Sequence, residues 1–215
     1  MPPVISFVGT GKSGKTTFLE KLIPELTGRG YRVATIKHTI HNTAFDRPEK
    51  DTARHIRAGS AAAAIASPSE FVMIVPGGAN MTVDEMVRHI GDDYDIIITE
   101  GFKHENAPKI EVHRREKGEA LAGTLEGVVA VLTDEPLDVK VKQFSLEDVK
   151  GVADFLEEGY IKPHKDRVTL FINNEQVSLG AFPEKMVSNL LLAIATSLKI
   201  KGTAEIRSID ISLRK

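Results

Sequence analysis

The chain has 215 residues, a formal net charge of −2, 41% hydrophobic and 27% charged residues, and no cysteine. That length buries a full core without staples, and the missing cysteine excludes disulfides, thiolate metal sites and cysteine nucleophiles. A near-neutral balance with no long basic stripe gives no footing for nucleic-acid binding, and the apolar runs are too short for a membrane span, so a cytoplasmic protein is expected.

The chain opens with an apolar strand, Val4–Val8. A glycine-rich loop follows, then a helix over 15–27 with Phe18, Leu19, Leu22, Ile23 and Leu26 at helical spacing. Pro24 inside that pattern predicts a kink or an early stop. Residues 32–37 read as a second strand, 38–50 as a polar loop, and 51–59 as a short helix with Asp51 as cap and Gly59 as stop. Two short apolar strands are expected at 61–66 and 71–75, and a helix at 82–90. Residues 94–99 form another buried strand that ends in Glu100-Gly101. Extended segments follow at 109–113 and 128–132, then a helix over 145–158 capped by Ser145. Continuous apolar strands separated by helices predict a mostly parallel sheet covered on both faces.

The composition changes near Lys162-Pro163-His164. Beyond it the pattern predicts a hairpin (168–172 and 176–179), a helix (183–199) and a strand (204–213). Met186, Val187, Leu190, Leu191, Ile194 and Leu198 form an apolar stripe, which reads as core packing. The expected organisation is therefore an α/β domain over 1–160 and a small α+β (ββαβ) module over 161–215.

The loop Gly9-Thr10-Gly11-Lys12-Ser13-Gly14-Lys15-Thr16-Thr17 carries the chemistry. It matches the G-x-x-x-x-G-K-[ST] pattern between strand and helix that marks a P-loop NTPase. Glycines let successive backbone N–H groups wrap phosphate oxygens. Lys15 is placed to reach the β and γ phosphates, and the Thr16 hydroxyl to ligate Mg²⁺. Glu100 ends a buried strand at the edge where ligands collect in open α/β sheets, and Gly101 permits a tight turn after it. Its carboxylate suits the Mg²⁺ shell or the positioning of a water. Lys37, His38 and His41 follow the second strand at the same edge. The two histidines raise the alternative of a metal site, completed by His104 or His113. Asp46, Asp51, Arg54 and Arg57 cluster beyond, which a solvated helix face explains nearly as well. The basic segment 103–115 suits a lid over a large anion. Asp134 follows a late strand; in many P-loop GTPases an Asp at that position pairs with guanine N1 and N2, although no Asn-Lys-x-Asp string is present here. With no glutamine to orient water and no evident arginine finger, hydrolysis is expected to be slow.

The ordered set of strings resembles the molybdopterin-guanine dinucleotide biosynthesis protein B family. These are the P-loop, Ile36-Lys37-His38 with His41, Lys50-Asp51-Thr52 with Ala58-Gly59, Thr99-Glu100-Gly101-Phe102-Lys103, and the run from Pro108 to Arg114. The resemblance implies a cytoplasmic, homodimeric GTP-binding adapter with weak GTPase activity. Such a protein serves the MobA-type guanylyltransferase that joins GMP to molybdopterin. By position, Gly9 to Thr17 would bind GTP and Mg²⁺, and Glu100 and Gly101 would take the second phosphate-side motif. Lys37, His38 and His41 would line the adjoining crevice, and Asp51 would fill the family's acidic position. Molybdopterin or its guanine dinucleotide is a further implied ligand. A small-molecule P-loop kinase and a metal-insertion GTPase are the alternatives.

Overall fold

The computed structural model describes residues 1–39, 50–164, 170–172, 175–177 and 181–197. It divides into two compact units, Met1–Tyr160 and Ile161–Lys215.

Six strands of the first unit form one sheet: β1 (Val4–Val8), β2 (Val33–Lys37), β5 (Ile96–Glu100), β6 (Lys109–Val112), β7 (Val128–Thr133) and β8 (Lys142–Ser145). Their spatial order is β2-β5-β1-β6-β7-β8, and every neighbouring pair is parallel. The parallel sheet expected from the apolar runs is what forms. Ile5, Phe7, Ile96, Ile97, Ile98, Ile110, Val131 and Leu132 are fully buried. Side chains alternate between the faces of each strand, so β1 has a layer to fill on either side. Phe7 meets Phe18 of α1 (Lys15–Gly28), their ring centroids 6.1 Å apart. Val4 and Ile97, opposite one another in the register, belong instead to a cluster with Val83 and Val87 of α3 (Val83–Ile90). Thr82 and Glu85 close the start of α3 with a capping box.

Several boundaries differ from expectation. Helix α1 runs through Pro24 to Gly28 without an early stop, and the Thr27 hydroxyl bonds to the carbonyls of Ile23 and Pro24. Helix α2 (Asp51–Arg57) has Lys50 at its cap position, so Asp51 is a first-turn residue rather than the cap. The two short apolar segments are β3 (Ala63–Ala66) and β4 (Phe71–Ile74), which pair antiparallel as a separate two-stranded sheet. The helix expected from Ser145 begins later, as α4 (Val149–Leu156). Asp148 is its cap, with the carboxylate accepting the Gly151 N–H at 2.9 Å. Ser145 is instead the last residue of β8. Arg29, just past α1, binds Glu25 at 2.8 Å and reaches α4 and the turn after it through Asp154 (2.6 Å) and Glu157 (2.8 Å). Helices α1 and α4 therefore share one face of the sheet.

In the second unit, β9 (Leu170–Ile172) pairs antiparallel with β10 (Glu175–Val177), and α5 spans Ala181–Ser197. The apolar stripe of α5 is not a buried core face. Met186, Leu190 and Ile194 are exposed, and only Ala195 is buried among the α5 side chains described. The strand expected at 204–213 lies outside the described residues.

Candidate functional site

Parallel pairing brings all strand carboxyl ends to one edge, and the candidate residues collect there. Val8 ends β1 and opens the glycine loop, while Lys37 and Glu100 end β2 and β5 in register with each other. Helix α1 starts at Lys15, directly beneath the loop, so its N-terminal amides and dipole favour an anion. The loop backbone takes conformations that suit glycine: φ is +148° at Gly9 and +98° at Gly14, and Lys12 also has a positive φ of 61°. A Cβ on Gly9 would lie 2.4 Å from the Val112 carbonyl oxygen. Lys12, Ser13, Gly14, Lys15, Thr16, Thr17 and Glu100 line a cavity of about 310 Å³.

The charged groups of the cavity are already in mutual contact. Lys15 Nζ donates to the carbonyls of Thr10 (2.8 Å) and Gly9 (3.2 Å) and to Ser13 Oγ (3.4 Å). Burial holds the Lys15 ammonium below the ordinary lysine pKa. Glu100 pulls the other way, and Lys103 and Lys37 add to the lowering. Thr16 Oγ1 donates to both carboxylate oxygens of Glu100, at 2.9 and 3.0 Å. Lys37 Nζ reaches the same carboxylate at 3.3 Å. A hydroxyl and a carboxylate in contact are the hard oxygen donors that Mg²⁺ selects, so the donor set fits that ion. The loop and Lys15 fit the phosphates that such an ion accompanies.

Gly101 and His38 close one side of this edge. The His38 N–H donates to the Glu100 carbonyl at 2.9 Å. Gly101 has φ +106°, and a Cβ there would lie 3.0 Å from His38 Cβ, so the approach of the two loops requires glycine. The His38 ring packs on Phe102 with centroids 4.9 Å apart.

Asp51 and Asp134 do not line the cavity. His41 lies outside the described residues, as does Asp46. Asp51 is largely exposed and pairs with Arg54 at 3.2 Å. Asp134 follows β7 at the same edge, but its Oδ1 is taken by the backbone N–H of Arg115 at 2.9 Å. Among the described residues no cluster of three or more His, Asp or Glu is placed to hold a metal. His113 is buried against Glu135 at 3.0 Å. The segment 103–115 is not a free basic lid, because its middle is β6, inside the sheet. Lys109 is buried there and binds the carbonyls of Glu105 and Ala107. The buried Glu111 carboxylate accepts the N–H groups of Leu121 and Ala122. Arg114 enters the sequence reading only as the last residue of the string from Pro108, yet its Nε donates to the Ser13 carbonyl at 3.1 Å. That string, and its place two residues past a strand that borders β1, are the signals that mark the position.

The family model for molybdopterin guanine dinucleotide synthesis protein B (MobB) matches residues 4–134, which include every residue lining the cavity. The chain belongs to the MobB family. A Haemophilus influenzae molybdopterin-guanine dinucleotide biosynthesis adapter protein is 36% identical over 72% of this chain and 88% of its own length. The Escherichia coli K12 protein of the same name is 35% identical over 74% and 93%. A crystal structure of a MobB protein superposes with a TM-score of 0.57 at 29% identity, covering 72% of this chain and 97% of that one. The MobB homologue from Bacillus stearothermophilus gives a TM-score of 0.54 at 26% identity, covering 72% and 95%. The family match therefore includes the glycine loop, Glu100 and the end of β7, and stops before the second unit. Among the described residues no helix is long and apolar enough to cross a membrane.

Proposed function

We propose that this chain is an adapter of molybdopterin guanine dinucleotide biosynthesis, and that the cavity at the start of α1 holds GTP with Mg²⁺. The observation that carries the reading is the convergence of Lys15, Thr16 and Glu100 on one glycine loop at the sheet edge. Lys15 and the loop amides would take the β and γ phosphates; Thr16 and Glu100 would hold Mg²⁺, which would neutralise charge on the phosphate oxygens. Gly9 to Thr17 and Gly101 shape the cradle, Lys37 and His38 border it, and His41, Asp51 and Asp134 belong to the same proposal.

Hydrolysis is slow in this reading. The cavity lining contains no glutamine to orient a water. Phosphoryl transfer without an arginine finger loses roughly 10³–10⁵ in rate. Members of the family named as adapters supply the biosynthetic context. The partner would be a MobA-type molybdopterin guanylyltransferase, with a cytoplasmic homodimer as the working form and molybdopterin or its guanine dinucleotide as a further ligand. Residues 1–160 would form the nucleotide-binding domain and 161–215 an added module.

Calorimetry with GTP and ATP, each with and without Mg²⁺, tests the reading. The expected outcome is Mg²⁺-dependent GTP binding with negligible phosphate transfer to small acceptors. Preference for ATP with fast transfer to an acceptor would replace the adapter with a kinase.

A further inference from the structure

Strand β6 ends at Val112, and the His113 backbone still pairs with the Leu132 carbonyl at 2.8 Å. The chain therefore leaves the sheet at Arg114, beside the glycine loop. Three contacts fix that side chain. Nε donates to the Ser13 carbonyl at 3.1 Å. The guanidinium lies against Gly14, where a Cβ would meet Nη2 at 3.4 Å. Nη1 stands 3.9 Å from Asp134 Oδ2, and the other Asp134 oxygen accepts the next backbone N–H, that of Arg115. Asp134 thus fixes the backbone that follows the arginine and sets a carboxylate opposite its guanidinium.

In a trans peptide the C=O and N–H point in opposite directions. The chain has no cis peptide bonds among the described residues. A charge-assisted bond that draws the Ser13 carbonyl outward therefore turns the Gly14 N–H inward, toward the space bordered by Lys12 to Thr17. From these contacts we infer that Arg114 is a positioning residue: it sets the Ser13–Gly14 peptide so that the loop amide faces a phosphate oxygen, and Asp134 keeps it there. The inference rests on the nucleotide reading of this cavity. It concerns an amide of the loop and not the terminal phosphate, so di- and triphosphates depend on Arg114 alike.

The test compares Mg-GTP and Mg-GDP affinity in the wild type, Arg114→Gln and Arg114→Lys, together with the Gly14 amide resonance. In Arg114→Gln both affinities are expected to fall by a similar factor of about ten, the size of one charge-assisted hydrogen bond. The nucleotide-induced shift of the Gly14 amide should shrink with them. Arg114→Lys keeps charge and bulk but not the Nε–H, so it should show the same pattern; it also serves if the glutamine variant does not fold. Loss of GTP affinity with GDP unchanged would mean direct contact with the terminal phosphate and would overturn the inference. So would full wild-type affinity in either variant. A wild type that binds neither nucleotide would overturn the function proposed above, whereas tight binding by all three proteins would remove only the role of Arg114.

Discussion

Gly9→Ala is the sharpest probe of the loop, because the structure states what the added methyl would meet. It would lie 2.4 Å from the Val112 carbonyl oxygen and 2.9 Å from Ser13 Oγ. An ordinary carbon–oxygen approach is about 3.3 Å, so something must retreat by about 1 Å. Val112 cannot move freely, since it ends β6 between β1 and β7. Gly9 also has φ +148°, where an L-residue is strained by roughly 1–3 kcal/mol. Overpacking adds roughly 1–3 kcal/mol. The sum is about 2–6 kcal/mol, or roughly 5–20 °C in melting temperature for a chain of this size. Gly11→Ala is the control two residues away. Nothing lies within 4 Å of its Cβ position, and its φ is not positive. It should stay within about 0.5 kcal/mol of the wild type. Thermal unfolding of the two variants without nucleotide decides the matter. A Gly9→Ala protein that melts with the wild type would refute the packing argument.

Two further outcomes follow from the same contacts. Glu100→Gln keeps the shape but removes the charge that Thr16 and Lys37 face, so the gain in GTP affinity on adding Mg²⁺ should shrink by about ten- to a hundredfold, read by titrating Mg²⁺ at fixed GTP. An unchanged Mg²⁺ dependence would take Glu100 out of the ion's shell. The Lys15 pKa is lowered in the folded protein, chiefly by burial, so the unfolded chain binds more protons between that value and 10.5. Stability from this group therefore rises as pH climbs through that window, while GTP affinity falls because the ammonium is lost sooner than on an exposed lysine. Binding measured from pH 7 upward, with Lys15→Arg as the non-titrating comparison, checks the sign. A decline of equal size in both proteins would assign it elsewhere.

The glycine loop was legible because its signal is local. Glycines, a lysine and a threonine at fixed spacing between an apolar strand and a helix leave few alternatives. Glu100 and Lys37 were legible for a related reason: each ends an apolar run, and a parallel sheet brings such ends together. What the sequence hid depends on pairing between distant segments. Residues 61–66 and 71–75 read as strands, but nothing in them says that they pair with each other outside the main sheet. β8 was overlooked because it is an edge strand with only Phe144 buried. Ser145 and Asp148 are both cap residues by type, and only the Asp148 bond to Gly151 distinguishes them. Lys109, in the basic segment, and His113 looked like ligand groups because charge suggests the surface, and Glu111 lies between them. They alternate along a central strand and are buried instead against loop carbonyls, loop amides and Glu135. Arg114 stood in a quoted string, but its contact was not legible because its partner, the Ser13 carbonyl, is a backbone atom 101 positions away.

The most direct measurement is the heat of Mg-GTP binding to the wild type and to Lys15→Ala. Lys15 is only part-buried and its contacts are loop carbonyls and a hydroxyl, so the alanine variant should keep the fold, as circular dichroism would report. The account predicts saturable binding by the wild type and none by the folded variant at the same concentrations. Equal affinity in the two proteins would contradict it.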